Sequence, residues 1–298
     1  MTGSAAPRIA VIGPGAIGTV IAALLHDAGR PVLVAGRSPR RDLRLDTAHG
    51  SIVVPGPVLT DPAHSPGAMD LVFLAVKATQ TDAAAAWLAA LCGPSTIVCV
   101  LQNGIEQVER VGPLVPESTV LPAIVWSPAE RRPDGSVRLR GEPRFTVPQS
   151  DGAERVGDAL DATACEFAVS DDFTTLAWRK LLQNAVAGLM ALTGRRAGMF
   201  RRQDVGDLAL AYLQEGLAVA RACGAALPDD EPDRMLERFR AFPDDMGTSI
   251  LADREAGRPL EWDARNAVIR RRGREHGIPT PVTDVIVPLL AAASDGPG

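Results

Sequence analysis

The chain has 298 residues, of which 46% are hydrophobic and 22% charged, and it carries a formal net charge of -5. That length holds two compact domains, or one domain with a helical appendage, around a large buried core. The ordinary, slightly acidic composition argues against a polyanion partner such as nucleic acid, and four scattered cysteines (Cys92, Cys99, Cys165, Cys223) without CxxC or His-rich spacing argue against a zinc site or disulfide framework.

The opening MTGSAAPRIAVIG lacks the basic segment and long apolar stretch of a secretory signal, and no uncharged run reaches the roughly 20 residues of a membrane-spanning helix. With reduced cysteines, this predicts a cytoplasmic protein without membrane contact. RIAVIG (Arg8 to Gly13) is a short apolar run that ends in glycines, and AIGTVIAALLHDAG after it has helical spacing, so strand, tight turn and helix are predicted in that order. PVLVAGR (Pro31 to Arg37) reads as a second buried strand, with Gly29 ending the helix before it. DLVFLAV (Asp70 to Val76), a helical TQTDAAAAWLAALC and STIVCVL (Ser95 to Leu101) repeat the alternation, as expected of an open doubly wound α/β sheet. TVLPAIVW, SVRLRG and RFTVP predict a few later strands, some antiparallel, around the turn Pro133-Asp134-Gly135.

From about Asp171 the pattern is helical almost throughout, broken by Gly and Pro. A boundary is expected near residue 170, with an α/β domain over 1–170 and an all-helical domain over 171–298. Arg270 to Glu275 (RRRGRE) could be a phosphate patch but reads better as a solvated helix face. The apolar TDVIVPLLAAA near the end can pack inside its domain or against a second copy, so a homodimer stays open.

Gly13, Gly15 and Gly18 form GxGxxG between the first strand and helix, the context that distinguishes a dinucleotide fingerprint from a chance turn. The glycines permit a tight turn, close approach of backbone to a pyrophosphate and close helix–strand packing. Ala16 and Ile17 start the helix, whose unpaired N–H groups and positive dipole suit phosphate. An NAD-preferring fold normally has an acidic residue at the end of the second strand; here Gly36, Arg37 and Ser38 occupy that place. A guanidinium binds a 2′-phosphate that a carboxylate would repel, so Arg37 argues for NADPH.

AVKATQ and LQNG each set polar groups just after a buried strand, where open α/β sheets bind ligands, so Lys77, Gln80 and Asn103 are placed to face the nicotinamide half of the cofactor. Taken singly, Lys77 reads equally as a solvated lysine and Asn103-Gly104 as a turn. In LAWRKLLQNAVAG, Lys180 and Asn184 share a helix face at i and i+4. Lys180 alone would read as a lysine snorkelling from an amphipathic helix.

Together these ordered motifs (GPGAIG, AVKATQ, LQNG, AWRKLLQN, SILADREAGRPLEWDARN and GREHGIPTP) resemble the ketopantoate reductases (2-dehydropantoate 2-reductases) almost end to end. The resemblance implies an N-terminal Rossmann-type dinucleotide-binding domain, a C-terminal helical substrate domain, and NADPH-dependent reduction of a small 2-oxo acid, ketopantoate by default, in pantothenate biosynthesis. By position it makes Lys180 the catalytic lysine and Glu261 its carboxylate partner. It makes Asn184 and Asn103 substrate- and cofactor-contacting amides, Ser249 the serine that helps hold the substrate carboxylate, Arg37 the 2′-phosphate ligand and Lys77 the lysine near the nicotinamide. Asn266 also has a counterpart, in a structural role. No metal is implied.

The chemistry suits these residue types. Hydride delivery to a ketone builds negative charge on oxygen, which an ammonium can stabilise and then protonate, a contribution of about 10²- to 10⁴-fold. A nearby carboxylate keeps a partly buried lysine charged. Two positions depart from the family pattern: Gly188, one turn past Asn184, and Met246, three residues before Ser249, both stand where the family has asparagine. The loss of two amides predicts weaker discrimination for a hydroxylated acid. It leaves room at Gly188 for a more apolar or bulkier ketone or imine, and a non-catalytic NADPH sensor is the reading from another class.

Overall fold

The computed structural model describes residues 6–296, so residues 1–5 of the opening segment lie outside the described residues. The chain divides into two compact units, one built from the residues up to Gln102 with Gln107–Phe173, the other from Asn103–Glu106 with the residues after Phe173.

The first unit contains β1 (Ile9–Ile12), α1 (Ala16–Asp27), β2 (Val32–Ala35), β3 (Asp42–Thr47), β4 (Gly50–Pro55), β5 (Leu71–Leu74), α2 (Ala85–Leu91), β6 (Ile97–Val100), α3 (Gln107–Val111) and β7 (Thr119–Pro122). It continues with β8 (Ile124–Trp126), β9 (Ala129–Arg131), β10 (Val137–Leu139), β11 (Arg144–Pro148), α4 (Asp151–Leu160) and β12 (Glu166–Ser170). β2, β1, β5, β6 and β7 form a parallel sheet in that order. Every residue of β1, β5 and β6 is buried, because a parallel sheet is covered on both faces and its strands read as unbroken apolar runs. The chain leaves β1 toward one edge of the sheet and β5 toward the other, so the switch point of this α/β, Rossmann-type unit lies between these two strands.

Two smaller sheets complete the unit; its antiparallel pairs include β8 with β11, both strands expected from the sequence, and β10 with β9, of which only β10 was expected. The β3–β4 hairpin was not foreseen. Its only apolar alternation in β3 is Leu43 and Leu45, both buried, amid exposed Asp42 and Arg44.

In the second unit α5 (Phe173–Thr193), α6 (Gln203–Ala222), α7 (Glu231–Ala241), α8 (Ser249–Glu255), α9 (Val268–Glu275) and α10 (Pro281–Asp295) surround one apolar core. Leu181, Leu182, Val186 and Leu189 of α5 meet Leu213, Phe239, Ile269 and Leu290 in that core. Each such side chain, fully buried, contributes about 1.5–3 kcal/mol. The Glu215 carboxylate on α6 accepts from the backbone N–H groups of Val282 and Thr283 at 2.6 and 2.9 Å, capping α10 and fixing it against α6. Asp263–Ala267 forms a π-helical turn that runs into α9.

Gly188 is buried in this core rather than beside open space. A Cβ there would lie 2.9 Å from Asn266 Nδ2 and 3.2 Å from Leu290 Cδ1. Asn266 is fully buried, and its Nδ2 donates to Ala185 O and to Tyr212 Oη, both at 3.0 Å. The room expected at this position for a bulkier substrate is therefore taken by the Asn266 amide, and the glycine is explained by what it lets in. A Gly188→Ala substitution should gain about 1 kcal/mol of helix propensity but lose more by crowding a held amide, since overpacking costs roughly 1–3 kcal/mol. Denaturant unfolding should show net destabilisation; a variant about 1 kcal/mol more stable would contradict the packing account.

Candidate functional site

The first unit offers a dinucleotide cradle at the β1/β5 switch point. Gly13, with φ +98°, donates its N–H to Ala35 O at 2.8 Å, and a Cβ on it would lie 2.8 Å from Val76 N, so the loops after β1 and β5 touch through backbone. A Cβ on Gly18 would lie 2.0 Å from Gly13 O. The first and third glycines are thus demanded by packing, whereas a Cβ on Gly15 would meet nothing within 4 Å. Gly15 is also the N-cap of α1 without a side-chain cap bond, which leaves the first-turn amides around Ala16 and Ile17 to a phosphate.

A Cβ on Gly36 would strike Pro14 of this loop at 2.6 Å, so β2 ends against the cradle and exposed Arg37 follows directly. Lys77 follows Val76 in extended conformation, at the start of a short 3₁₀ turn over Ala78–Gln80. These residues fit a dinucleotide: packing demands glycine where the loops meet, and the second glycine faces free space.

The second unit holds a polar cluster around Glu261, which is buried. Asn103 Nδ2 donates to Glu261 Oε2 at 3.1 Å, and Asn184 Nδ2 donates to Asn103 Oδ1 at 3.4 Å. Gly104 has φ +110°, and a Cβ there would sit 3.0 Å from Ala264 O, so the loop presses against the π turn and delivers Asn103 to the carboxylate. Arg271 secures the same loop: its Nε and Nη2 donate to the two Glu106 oxygens at 3.0 and 2.6 Å, and its Nη1 pairs with Asp263.

Lys180 lies one turn before Asn184 on α5. Burial, then the like charge of Arg265, pushes its amine down to about 7, against partial support from the Glu261 carboxylate. An amine poised there can hold a proton and release it near neutral pH, as a general acid requires. Ser249, the first residue of α8, accepts from Arg265 Nη2 at 2.9 Å. The structure therefore brings Asn184, Asn103 and Glu261 into one hydrogen-bonded chain, which Ser249 joins through Arg265, hydrogen-bonded to Ser249 and ion-paired with Glu261 at 3.3 Å, with the Lys180 amine in the field of Glu261 and Arg265. It does not bring Gly188 to that chain, and Met246 carries its side chain on the surface, 42% exposed, in the loop before α8.

Arg265 is the residue that sequence reasoning missed. Four positions past Glu261 in LEWDARN, it has the spacing of an ordinary surface ion pair. The π turn, which the residue pattern does not announce, places it inward.

A glycine cradle on a parallel sheet, and a lysine in the field of a buried carboxylate on a helical unit, are what a dinucleotide-dependent oxidoreductase requires. Comparison with known proteins takes this further. Residues 9–152 match the family model described as ketopantoate reductase PanE/ApbA, and residues 172–294 match its C-terminal counterpart. The 2-dehydropantoate 2-reductase of Mycobacterium tuberculosis is 57% identical over 295 residues, covering 98% of this chain and 100% of that protein. The Caulobacter vibrioides enzyme of the same name is 39% identical over 96% of this chain and 99% of its own. A PanE/ApbA family ketopantoate reductase from Ralstonia eutropha superposes with a TM-score of 0.87 at 30% identity, covering 97% of this chain and 98% of that one. The chain belongs to the ketopantoate reductase family.

The Lys180 amine gives a direct check. Trace labelling with an amine-reactive reagent, read by mass spectrometry, should show reactivity rising through a midpoint near pH 7, because only the neutral form above it attacks. A midpoint near the ordinary lysine value of about 10.4 would show that the amine is not desolvated in this way.

Proposed function

We propose that this protein reduces ketopantoate to pantoate with NADPH, as a cytoplasmic enzyme of pantothenate biosynthesis. The observation that carries the reading is the buried Glu261 flanked by Asn103 and Arg265, with the Lys180 amine poised near neutrality in its field. When bound, reduced nicotinamide supplies the hydride that C2 of the keto acid accepts.

Every other part of the chemistry falls to side chains. Lys180 as ammonium stabilises the charge that develops on the C2 oxygen and then gives it a proton. Glu261 favours the charged lysine against the cost of burial, and Asn103 holds that carboxylate in place. Asn184, on the face of α5 that carries Lys180, is placed to donate to the same oxygen. Ser249 has a hydroxyl to donate to the substrate carboxylate. In the cofactor cradle, Gly15 and the first amides of α1 take the pyrophosphate, Arg37 takes the 2′-phosphate, and Lys77 attends the nicotinamide half.

The same reading extends to a homodimer. Val285 and Leu289, one turn apart on α10, are 62% and 53% exposed and offer an apolar face to a second copy. The Staphylococcus aureus ketopantoate reductase, which superposes with a TM-score of 0.86 at 26% identity, is itself described as dimeric.

Purified protein should reduce ketopantoate with NADPH at kcat/KM above about 10⁴ M⁻¹s⁻¹. Lys180→Ala should lower kcat by roughly 10²- to 10⁴-fold while NADPH affinity, read by fluorescence titration, is retained. Parent protein that turns over no 2-oxo acid would refute the assignment. Arg37→Ala should raise KM for NADPH at least about tenfold with little change for NADH, since a charge-assisted contact to phosphate is worth roughly 1.5–3 kcal/mol. Equal losses with both cofactors would remove Arg37 from 2′-phosphate recognition.

A further inference from the structure

The polar cluster of the second unit contains a cation that the reaction as described does not use. Arg265 lies on the π turn two residues past Asp263, and its side chain is 3% exposed. Its Nη2 donates to Ser249 Oγ at 2.9 Å and lies 3.3 Å from Glu261 Oε2, while its Nε is buried with no hydrogen-bond partner. A buried guanidinium held only for stability should have its donors satisfied, because an incompletely paired buried charge is strongly unfavourable and is readily replaced by an apolar side chain.

Two consequences follow from the geometry. First, Ser249 Oγ accepts from Arg265, so its own O–H is left to donate elsewhere, and Ser249 is an exposed residue. A buried donor thereby directs an accessible hydroxyl. Second, the Arg265 guanidinium and the Lys180 amine both lie in the field of the Glu261 carboxylate, so two cations act at this end of the cluster when Lys180 is protonated. Both attract an anion that reaches the Ser249 hydroxyl, and the carboxylate of a 2-oxo acid is such an anion.

We propose that Arg265 is a positioning residue for an anionic substrate: it turns the Ser249 hydroxyl toward the substrate carboxylate, and its buried positive charge, 3.3 Å from Glu261 Oε2, adds to the attraction that this carboxylate meets in the cluster. The proposal rests on the 2-oxo acid reading above and deepens it. It also supplies anion recognition to a site where Gly188 and Met246 offer no amide. Arg265 acts through Ser249, Glu261 and Lys180 and has no direct part in proton transfer.

Three variants, with a fourth in reserve, separate these roles. In ligand-free protein, the labelling midpoint of Lys180 should rise by about one pH unit or more in Arg265→Met, because a like charge has gone, and stay near the parent value in Arg265→Lys. Should Arg265→Met fail to fold, Arg265→Gln removes the same charge and gives the same test. At pH 6, where Lys180 is protonated in every protein, KM for ketopantoate should rise about tenfold or more in Arg265→Met, with a smaller change in kcat. Ser249→Ala should raise KM similarly without moving the labelling midpoint. An unmoved midpoint in the charge-removing variant overturns the proposal, as does an unchanged KM at pH 6 in both Arg265→Met and Ser249→Ala. Parent protein inactive with ketopantoate would sink the reaction reading, and that failure is visible separately, because the labelling requires no turnover.

Discussion

The second unit is organised around one costly act, the burial of the Glu261 carboxylate. An ionised carboxylate taken out of water loses several kcal/mol of hydration even after the protein relaxes, so its surroundings must return that interaction or it will not stay charged. Asn103, from a loop more than 150 positions earlier in the chain, and Arg265, from the turn that Glu261 begins, both supply it. Gly104, the Arg271 ion pairs and the π turn at Asp263–Ala267 follow from the need to bring those donors to one oxygen. A single extra residue in a helical turn re-aims the side chains that follow it, and such turns recur at functional sites. Here it sends Arg265 toward Ser249 and Asn266 toward Ala185 and Tyr212.

The first unit answers a different constraint. Its parallel sheet buries short apolar strands on both faces, and its candidate ligand site lies where two neighbouring strands send the chain in opposite directions. Gly13 and Gly18 are fixed there by steric limits that any packed strand–turn–helix must meet, while Gly15 meets no steric limit. The glycine that packing does not demand is the one with open space around it.

This difference governs what could be read from the residues alone. Buried parallel strands and the glycine loop are legible, because local pattern and burial coincide in them. The β3–β4 hairpin is faint because in β3 only Leu43 and Leu45 mark its inner face. Lys180 with Asn184 is visible as a helical stripe, and Glu261 as an acid in a recognisable motif, yet nothing local shows that Asn103 meets Glu261, since that depends on a distant loop. Arg265 was missed because a Glu and an Arg four residues apart look like a solvated helix pair. Gly188 was noticed for a sound reason and explained the wrong way round: the absent side chain makes way for Asn266, a residue of the protein itself.

The loop Asn103–Glu106 leaves β6 of the first unit, groups with the second, and returns to the first at Gln107. The helical unit is therefore not one uninterrupted stretch of sequence. A gene fragment beginning at Thr174 would encode Lys180, Ser249, Glu261 and Arg265 but would lack Asn103, and with it the 3.1 Å donor to Glu261. An exchange of N-terminal halves between relatives, cut at the same place, would carry that donor across with the cofactor cradle. The evolutionary unit that keeps this polar cluster intact is thus the whole chain, although the buried residues of the apolar core beside it all come from the second part.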